Sequence, residues 1–113
     1  MDPDCLFCKI VAGEIPSDKV AEDDLAFAFR DVNPQAPVHV LVVPKRHEPD
    51  IASLAAADPD SAVALLELAG QVAEQENGRS YRLVFNTGPD ALQTVFHCHG
   101  HVIAGRQLTW PPG

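Results

Sequence analysis

Three histidines stand at alternate positions near the end of the chain, in the stretch Val95-Phe96-His97-Cys98-His99-Gly100-His101-Val102-Ile103-Ala104-Gly105-Arg106. A strand turns successive side chains to opposite faces, so this spacing can aim all three imidazoles at one face. Two chemistries use such a row: a metal site, or nucleophilic and acid–base work on an anionic substrate by groups that titrate near neutrality. The bland alternative, a solvated row on an edge strand, sits poorly beside Phe96, Val102 and Ile103. Same-face neighbours on a strand lie roughly 6.5–7 Å apart, twice the rise per residue. The outer pair is then about twice as far apart, and a zinc ion at ~2.1 Å from nitrogen can hardly bind all three. At least one histidine stays free for chemistry.

A second constellation is Cys5-Leu6-Phe7-Cys8. Two cysteines with two residues between them can reach one metal, and tetrahedral zinc then needs two more ligands. No other close cysteine pair exists, so those ligands would come from His39, His47 and the triad, the chain's five histidines. Two free cysteines packed in a short apolar helix are the plainer alternative. A thioredoxin-like redox motif fits less well, because no strand precedes the pair.

The elements that must position these residues follow one another closely. Leu6, Phe7 and Ile10 have helical spacing within Cys5 to Val11, a segment that ends at Gly13 and is barred by Pro16. Leu25 to Phe29 reads as a strand, Asn33-Pro34-Gln35-Ala36-Pro37 as a turn, and Val38 to Val43 as a β-branched strand stopped by Pro44. The clearest helix has Asp58 as N-cap, Pro59 in its first position and Asn77-Gly78 as its stop. Between them Ala62, Leu65, Leu66, Ala69, Val72 and Ala73 form an apolar stripe that predicts packing on a sheet. Tyr81 to Phe85 and the histidine segment are the last strands. The pattern predicts an α+β fold, a mainly antiparallel sheet of about five strands with one long helix and a short N-terminal helix.

Composition bounds the partners. A chain of 113 residues, 46% hydrophobic, is expected to form one domain spanning 1–113 with a real core. Its net charge of -8 disfavours nucleic acid and acidic membrane surfaces, which need a basic patch, but leaves room for a small anion held by local donors. No run is apolar enough to span a membrane, and Met1-Asp2-Pro3-Asp4 is acidic where a signal peptide is basic. A cytoplasmic location is expected. An odd count of three cysteines suits metal or free thiols better than a disulfide framework. The tail Trp110-Pro111-Pro112-Gly113 reads as a docking or dimer-contact segment.

The stretch His97-Cys98-His99-Gly100-His101-Val102-Ile103 resembles the signature of the histidine-triad family, in which histidines alternate with apolar residues. Cys5-Leu6-Phe7-Cys8-Lys9-Ile10 resembles the family's N-terminal helix, and the run from Phe29 to Lys45 its central hairpin. The tail from Gly105 to Gly113 is similar to that of the Hint branch, the histidine-triad nucleotide-binding proteins. The resemblance thus covers nearly the whole chain. It implies a homodimer, with residues 106–113 near the dimer interface or active site, and cleavage at the α-phosphate of a purine nucleotide conjugate such as a nucleoside 5′-phosphoramidate. Dinucleoside polyphosphate hydrolysis, or a regulatory nucleotide-binding module with incidental activity, are the alternatives.

Roles follow from the same resemblance. His99 would attack the α-phosphorus and form a nucleotidyl-histidine intermediate, and His101 would contact the phosphate oxygens. Thr94 would hydrogen-bond the leaving group, and His39 would help orient the nucleophile. Asn86 and Gln93 match amide positions near the phosphate. Leu6, Phe7, Ile10, Phe29, Val32 and Leu41 would line the nucleotide site, and Asp31 would accept from the ribose hydroxyls. Zinc-containing relatives imply one structural zinc per chain on Cys5, Cys8, His47 and His97. The chain departs from the pattern at Cys98 and Gly100, where larger apolar residues are usual, and at Ala91-Leu92, where relatives carry glycine-rich sequence.

Overall fold

The computed structural model describes residues 3–113; Met1 and Asp2, the start of the acidic N-terminal stretch, lie outside the described residues. The chain runs α1 (Leu6–Val11), β1 (Lys19–Glu22), β2 (Ala26–Arg30), β3 (Val38–Pro44), α2 (Ile51–Ala57), α3 (Pro59–Asn77), β4 (Arg82–Phe85) and β5 (Gly100–Ala104). The five strands form one antiparallel sheet in the order β1-β2-β3-β5-β4. That is the α+β arrangement expected from the strand and helix pattern.

Local chemistry sets the boundaries of α3. The Asp58 side chain accepts from the Ser61 amide and hydroxyl, Pro59 occupies the first turn, and Gly78 at φ +68° ends the helix. Its buried stripe differs from expectation at one step: Leu66 faces solvent, and Leu68 turns inward instead. Two elements were not anticipated. The edge strand β1 exists only through its pairing with β2, which includes a register shift between Lys19 and Ala21. Helix α2 is capped by Asp50, whose carboxylate accepts from the Ser53 amide at 2.8 Å, and it buries only Leu54.

Period-two alternation sorts the strand residues between two buried layers. Ala26 and Ala28, then Val38, Val40 and Val42, then Val102 and Ala104 meet the apolar face of α3. Phe27, Phe29, Leu41 and Val43 point the other way, against Phe7, Cys8 and Ile10 of α1. Pairing register then lines up residues across the second face: Phe29 pairs with Leu41, and Leu41 with His101. The sheet therefore carries an aromatic and histidine row on the side away from α3. Only His101 of the triad lies within a ladder; His97 sits in a bend at residues 95–97, and His99 in irregular chain just before β5.

Candidate functional site

Two groups of polar side chains lie on the α1 side of the sheet. In the first, donor atoms of Cys5, Cys8, His47 and His97 all fall within 4.8 Å of one another. His97 Nδ1 stands 3.4 Å from Cys5 Sγ, 3.5 Å from Cys8 Sγ and 3.1 Å from His47 Nδ1, while Cys8 Sγ and His47 Nδ1 are 3.4 Å apart. A tetrahedral zinc with bonds of about 2.1 Å to nitrogen and 2.3 Å to sulfur spaces its ligands roughly 3.4–3.8 Å apart. The four residues fit such an ion. His97 Nε2 donates to the Pro44 carbonyl at 2.8 Å, which leaves the Nδ1 lone pair facing the cysteines. Cys5 caps α1, its sulfur accepting from the Cys8 amide at 3.4 Å, which fixes the sulfur's position beside Cys8. Burial pushes the His97 pKa down and so favours its neutral, ligating form.

The second group is His99, His101, His39 and Asp31. His99 Nδ1–H donates to the His97 carbonyl at 2.8 Å, which leaves Nε2 with the lone pair. Phe7 meets the His99 ring edge-on with centroids 4.9 Å apart, and the His101 ring lies 5.2 Å away on the other side. Burial holds His99 below the usual histidine range, although the His97 carbonyl and the charge of Asp31 pull the other way. His101 is pushed down to about 4, by burial first and then by the neighbouring His99 and His39. His39 contacts His101, Nε2 to Nδ1 at 2.9 Å, and Asp31 Oδ2 at 3.4 Å. The partners of His39 are thus His101 and Asp31 at Nε2 and the Gln35 amide at Nδ1, and none is His99.

A cleft of about 420 Å³ opens above these rings. It brings together Leu6, Phe7, Ile10, Phe29, Asp31, Val32, Leu41, Thr94, His99 and His101 from α1, three strands and two loops. Val32 is 100% exposed at the mouth, an apolar side chain that nothing among the described residues covers. Ile15, Pro16 and Val95 also wall the cleft. Sequence reading missed them; their signal was an apolar pair just after the glycine that ends α1, and the residue beside Thr94. His39 lies behind His101 rather than on the wall.

Asn86 and Gln93 are not on the wall either. Gln93 is buried, and its side chain is engaged within the loop. Its Oε1 accepts from the Gly88 amide at 3.0 Å, and its Nε2 donates to the Pro49 and Val95 carbonyls at 2.6 and 3.1 Å. Both amide hydrogens are used, so Gln93 braces the loop that carries Thr94 and leaves no donor for a phosphate. In the same loop Leu92 has φ 65° and is exposed. This left-handed conformation suits glycine, and a leucine adopts it only at a steric cost. Cys98 points away from the triad into the α3-side core. Burial and the charge of Asp50 push its thiol up to about 12, so it carries no reactive thiolate.

A family model described as the HIT domain matches residues 12–108, a span that begins after Cys5 and Cys8. The chain is 45% identical over 116 residues to the adenylylsulfatase HINT1 of Arabidopsis thaliana, covering 99% of this chain and 78% of that protein. It is 46% identical over 114 residues to a 14 kDa zinc-binding protein of Brassica juncea, covering 97% and 100%. Among solved structures it resembles a HIT family hydrolase from Legionella pneumophila Philadelphia 1, with a TM-score of 0.92 and 46% identity, covering 97% of this chain and 100% of that one.

Proposed function

The chain belongs to the HIT domain family, and on that premise we propose that it is a hydrolase of nucleotide conjugates acting at the α-phosphate through His99. One observation carries the reading: the His99 Nδ1–H is held by the His97 carbonyl, so the bare Nε2 is turned to the cleft. In the first step that lone pair attacks the α-phosphorus. The bond to the leaving group breaks with its electron pair, the departing atom takes up a proton from solvent, and a nucleotidyl-histidine forms. Water then attacks the same phosphorus and gives up a proton to solvent, the P–N bond breaks with its pair returning to Nε2, and mononucleotide leaves with His99 restored. His101 donates to a phosphate oxygen as charge builds there. Thr94 hydrogen-bonds the leaving atom. Leu6, Phe7, Ile10, Phe29, Val32 and Leu41 enclose a purine base, and Asp31 accepts from the ribose hydroxyls. Gln93 positions the loop.

A phosphoramidate is the substrate class we favour, and the name of the Arabidopsis relative makes an adenylyl sulfate the first rival to test. Zinc on Cys5, Cys8, His47 and His97 would be structural, since four protein ligands leave no open position for water. The names of the zinc-binding relatives support this reading. We also assign the protein to the cytoplasm, where its three free cysteines stay reduced. Among the described residues no helix is long and apolar enough to cross a membrane. A homodimer is supported by the open edge at β4, whose four residues are only half-buried, and by Trp110, 81% exposed beside Arg82.

Replacement His99→Ala tests the mechanism. It should lower kcat at least about 10³-fold while mononucleotide still binds, because the base and ribose contacts remain. Near-normal turnover, or no nucleotidyl-protein adduct on rapid quench of the unaltered enzyme, would sink the covalent route. A panel of adenosine and guanosine phosphoramidates, adenylyl sulfate and dinucleotides, ranked by kcat/KM, then sorts the substrates.

A further inference from the structure

The tail that follows β5 is tied to the turn before β3 by two contacts. Arg106 Nε donates to the Gln35 carbonyl at 3.1 Å. Gly105, at φ +91°, lies so close to Pro37 that a Cβ there would come within 2.9 Å of the proline Cβ. The turn in turn donates inward: the Gln35 backbone N–H points at His39 Nδ1, 2.9 Å away. An amide can only donate, so His39 Nδ1 must hold a lone pair and the His39 proton sits on Nε2. That Nε2–H faces His101 Nδ1 at 2.9 Å, with Asp31 Oδ2 as a weaker acceptor at 3.4 Å. His101 Nδ1 is therefore an acceptor as well. In the other tautomer two N–H groups would oppose each other across that distance.

We propose that the Gln35 backbone amide, steadied by Arg106, is a positioning group that fixes the proton of His101 on Nε2, toward the cleft. His101 lines the cleft, and its Nε2 has no hydrogen-bond partner among the described residues. The wire runs tail, turn, His39, His101, and it delivers a donor where a phosphate oxygen would sit. That last use rests on the function proposed above; the tautomer itself does not. His101 remains neutral because burial and the adjacent His99 and His39 oppose its charging. A competing use of the cluster is a metal site, since Asp31, His39 and His101 bring ligand atoms within 4.8 Å. A metal on His39 Nε2 would drive its proton to Nδ1, directly against the Gln35 N–H. The turn thus selects the hydrogen-bonded wire over the metal.

Imidazole nitrogen NMR on the intact protein near neutral pH reads the tautomer directly. The unaltered protein should show His101 protonated on Nε2 and His99 protonated on Nδ1. Gln35→Pro removes the amide hydrogen and should leave His101 in a mixture of both tautomers, with His99 unchanged; Gln35→Ala keeps the amide and the tautomer. Arg106→Ala should give a smaller shift in the same direction. Should Gln35→Pro fail to fold, His39 supplies the second pair. His39→Gln retains an N–H donor and keeps the His101 tautomer, whereas His39→Ala loses it. In the mixed variants kcat should fall about tenfold with KM nearly unchanged, less than the 10²–10³ for deleting such a donor outright. A His101 proton found on Nδ1, or one tautomer ratio throughout the unaltered protein, Gln35→Pro and His39→Ala, overturns the wire. Tautomers that shift as expected while turnover holds support the wire and instead overturn the role of His101 at the phosphate.

Discussion

Burial, more than any ion pair, sets the protonation of the cleft histidines. His101 sits at about 4 in the folded chain, against roughly 6.5 for a histidine in an unfolded one. Between those values the unfolded chain binds a proton at this site and the folded chain does not, so stability rises with pH across the window. His99 is shifted in the same direction. Acidification from about pH 6.5 toward 4 should therefore lower the melting temperature progressively. Replacing His101 by Asn should remove part of that slope, measured by melting curves across the range. A slope that His101→Asn leaves unaltered would mean that His101 is not buried in its neutral form.

At the scale of elements, the seam between β4 and β5 depends on what Gly100 lacks. A Cβ on Gly100 would lie 2.9 Å from Phe85 Cζ and 3.0 Å from Leu83 Cδ1. Both are side chains on the neighbouring strand, and Gly100 pairs directly with Phe85. The glycine that departs from the family's apolar preference is thus filled by a phenylalanine from next door. Gly100→Ala should force Phe85 and Leu83 to shift and cost about 1–3 kcal/mol, the usual range for overpacking. Denaturant titration measures it, and activity should fall too, because His99 and His101 flank the strained position. The loop from Asn86 to Val95 is an element of another kind. It has no ladder, and Gln93 supplies from one side chain the hydrogen bonds that a strand partner would give.

At the scale of the molecule, the metal quartet joins segments far apart in the chain. Cys5 caps α1, His47 follows β3, and His97 precedes β5, with its Nε2 anchored on the last carbonyl of β3. An ion bound there only in the folded state adds its binding free energy to folding stability. Elemental analysis should find one zinc per chain. Cys8→Ser or His47→Ala should lower the melting temperature by about 10 °C or more, from roughly 2.7 kcal/mol for a ligand at a hundredfold its Kd. His101→Ala should leave the metal in place. A metal-free preparation as heat-stable as the loaded one would remove the structural role. Loss of turnover on chelation without unfolding would show that metal and chemistry are not separate.

Where a signal is local, the residues alone sufficed to read it. Asp58-Pro59 and Asn77-Gly78 bound α3 because caps and stops act within a turn of the helix. The alternation of Val38 to Val43 made β3 legible, and the rows of histidine and cysteine pointed to side chains that the fold brings within 4.8 Å of one another. Long-range contacts decided the rest. β1 is a strand because β2 lies beside it, and Leu68 rather than Leu66 is buried because the sheet, not the helix, sets the angle of contact. Spacing alone left open which histidine faces the cysteines and which the cleft. Folding separates them through backbone partners: the Pro44 carbonyl turns His97 Nδ1 toward the cysteines, and the His97 carbonyl frees His99 Nε2. Gln93 as a brace and Gln35 as a donor to His39 were equally hidden, because a hydrogen bond's other end is chosen by tertiary approach and not by the side chain's type.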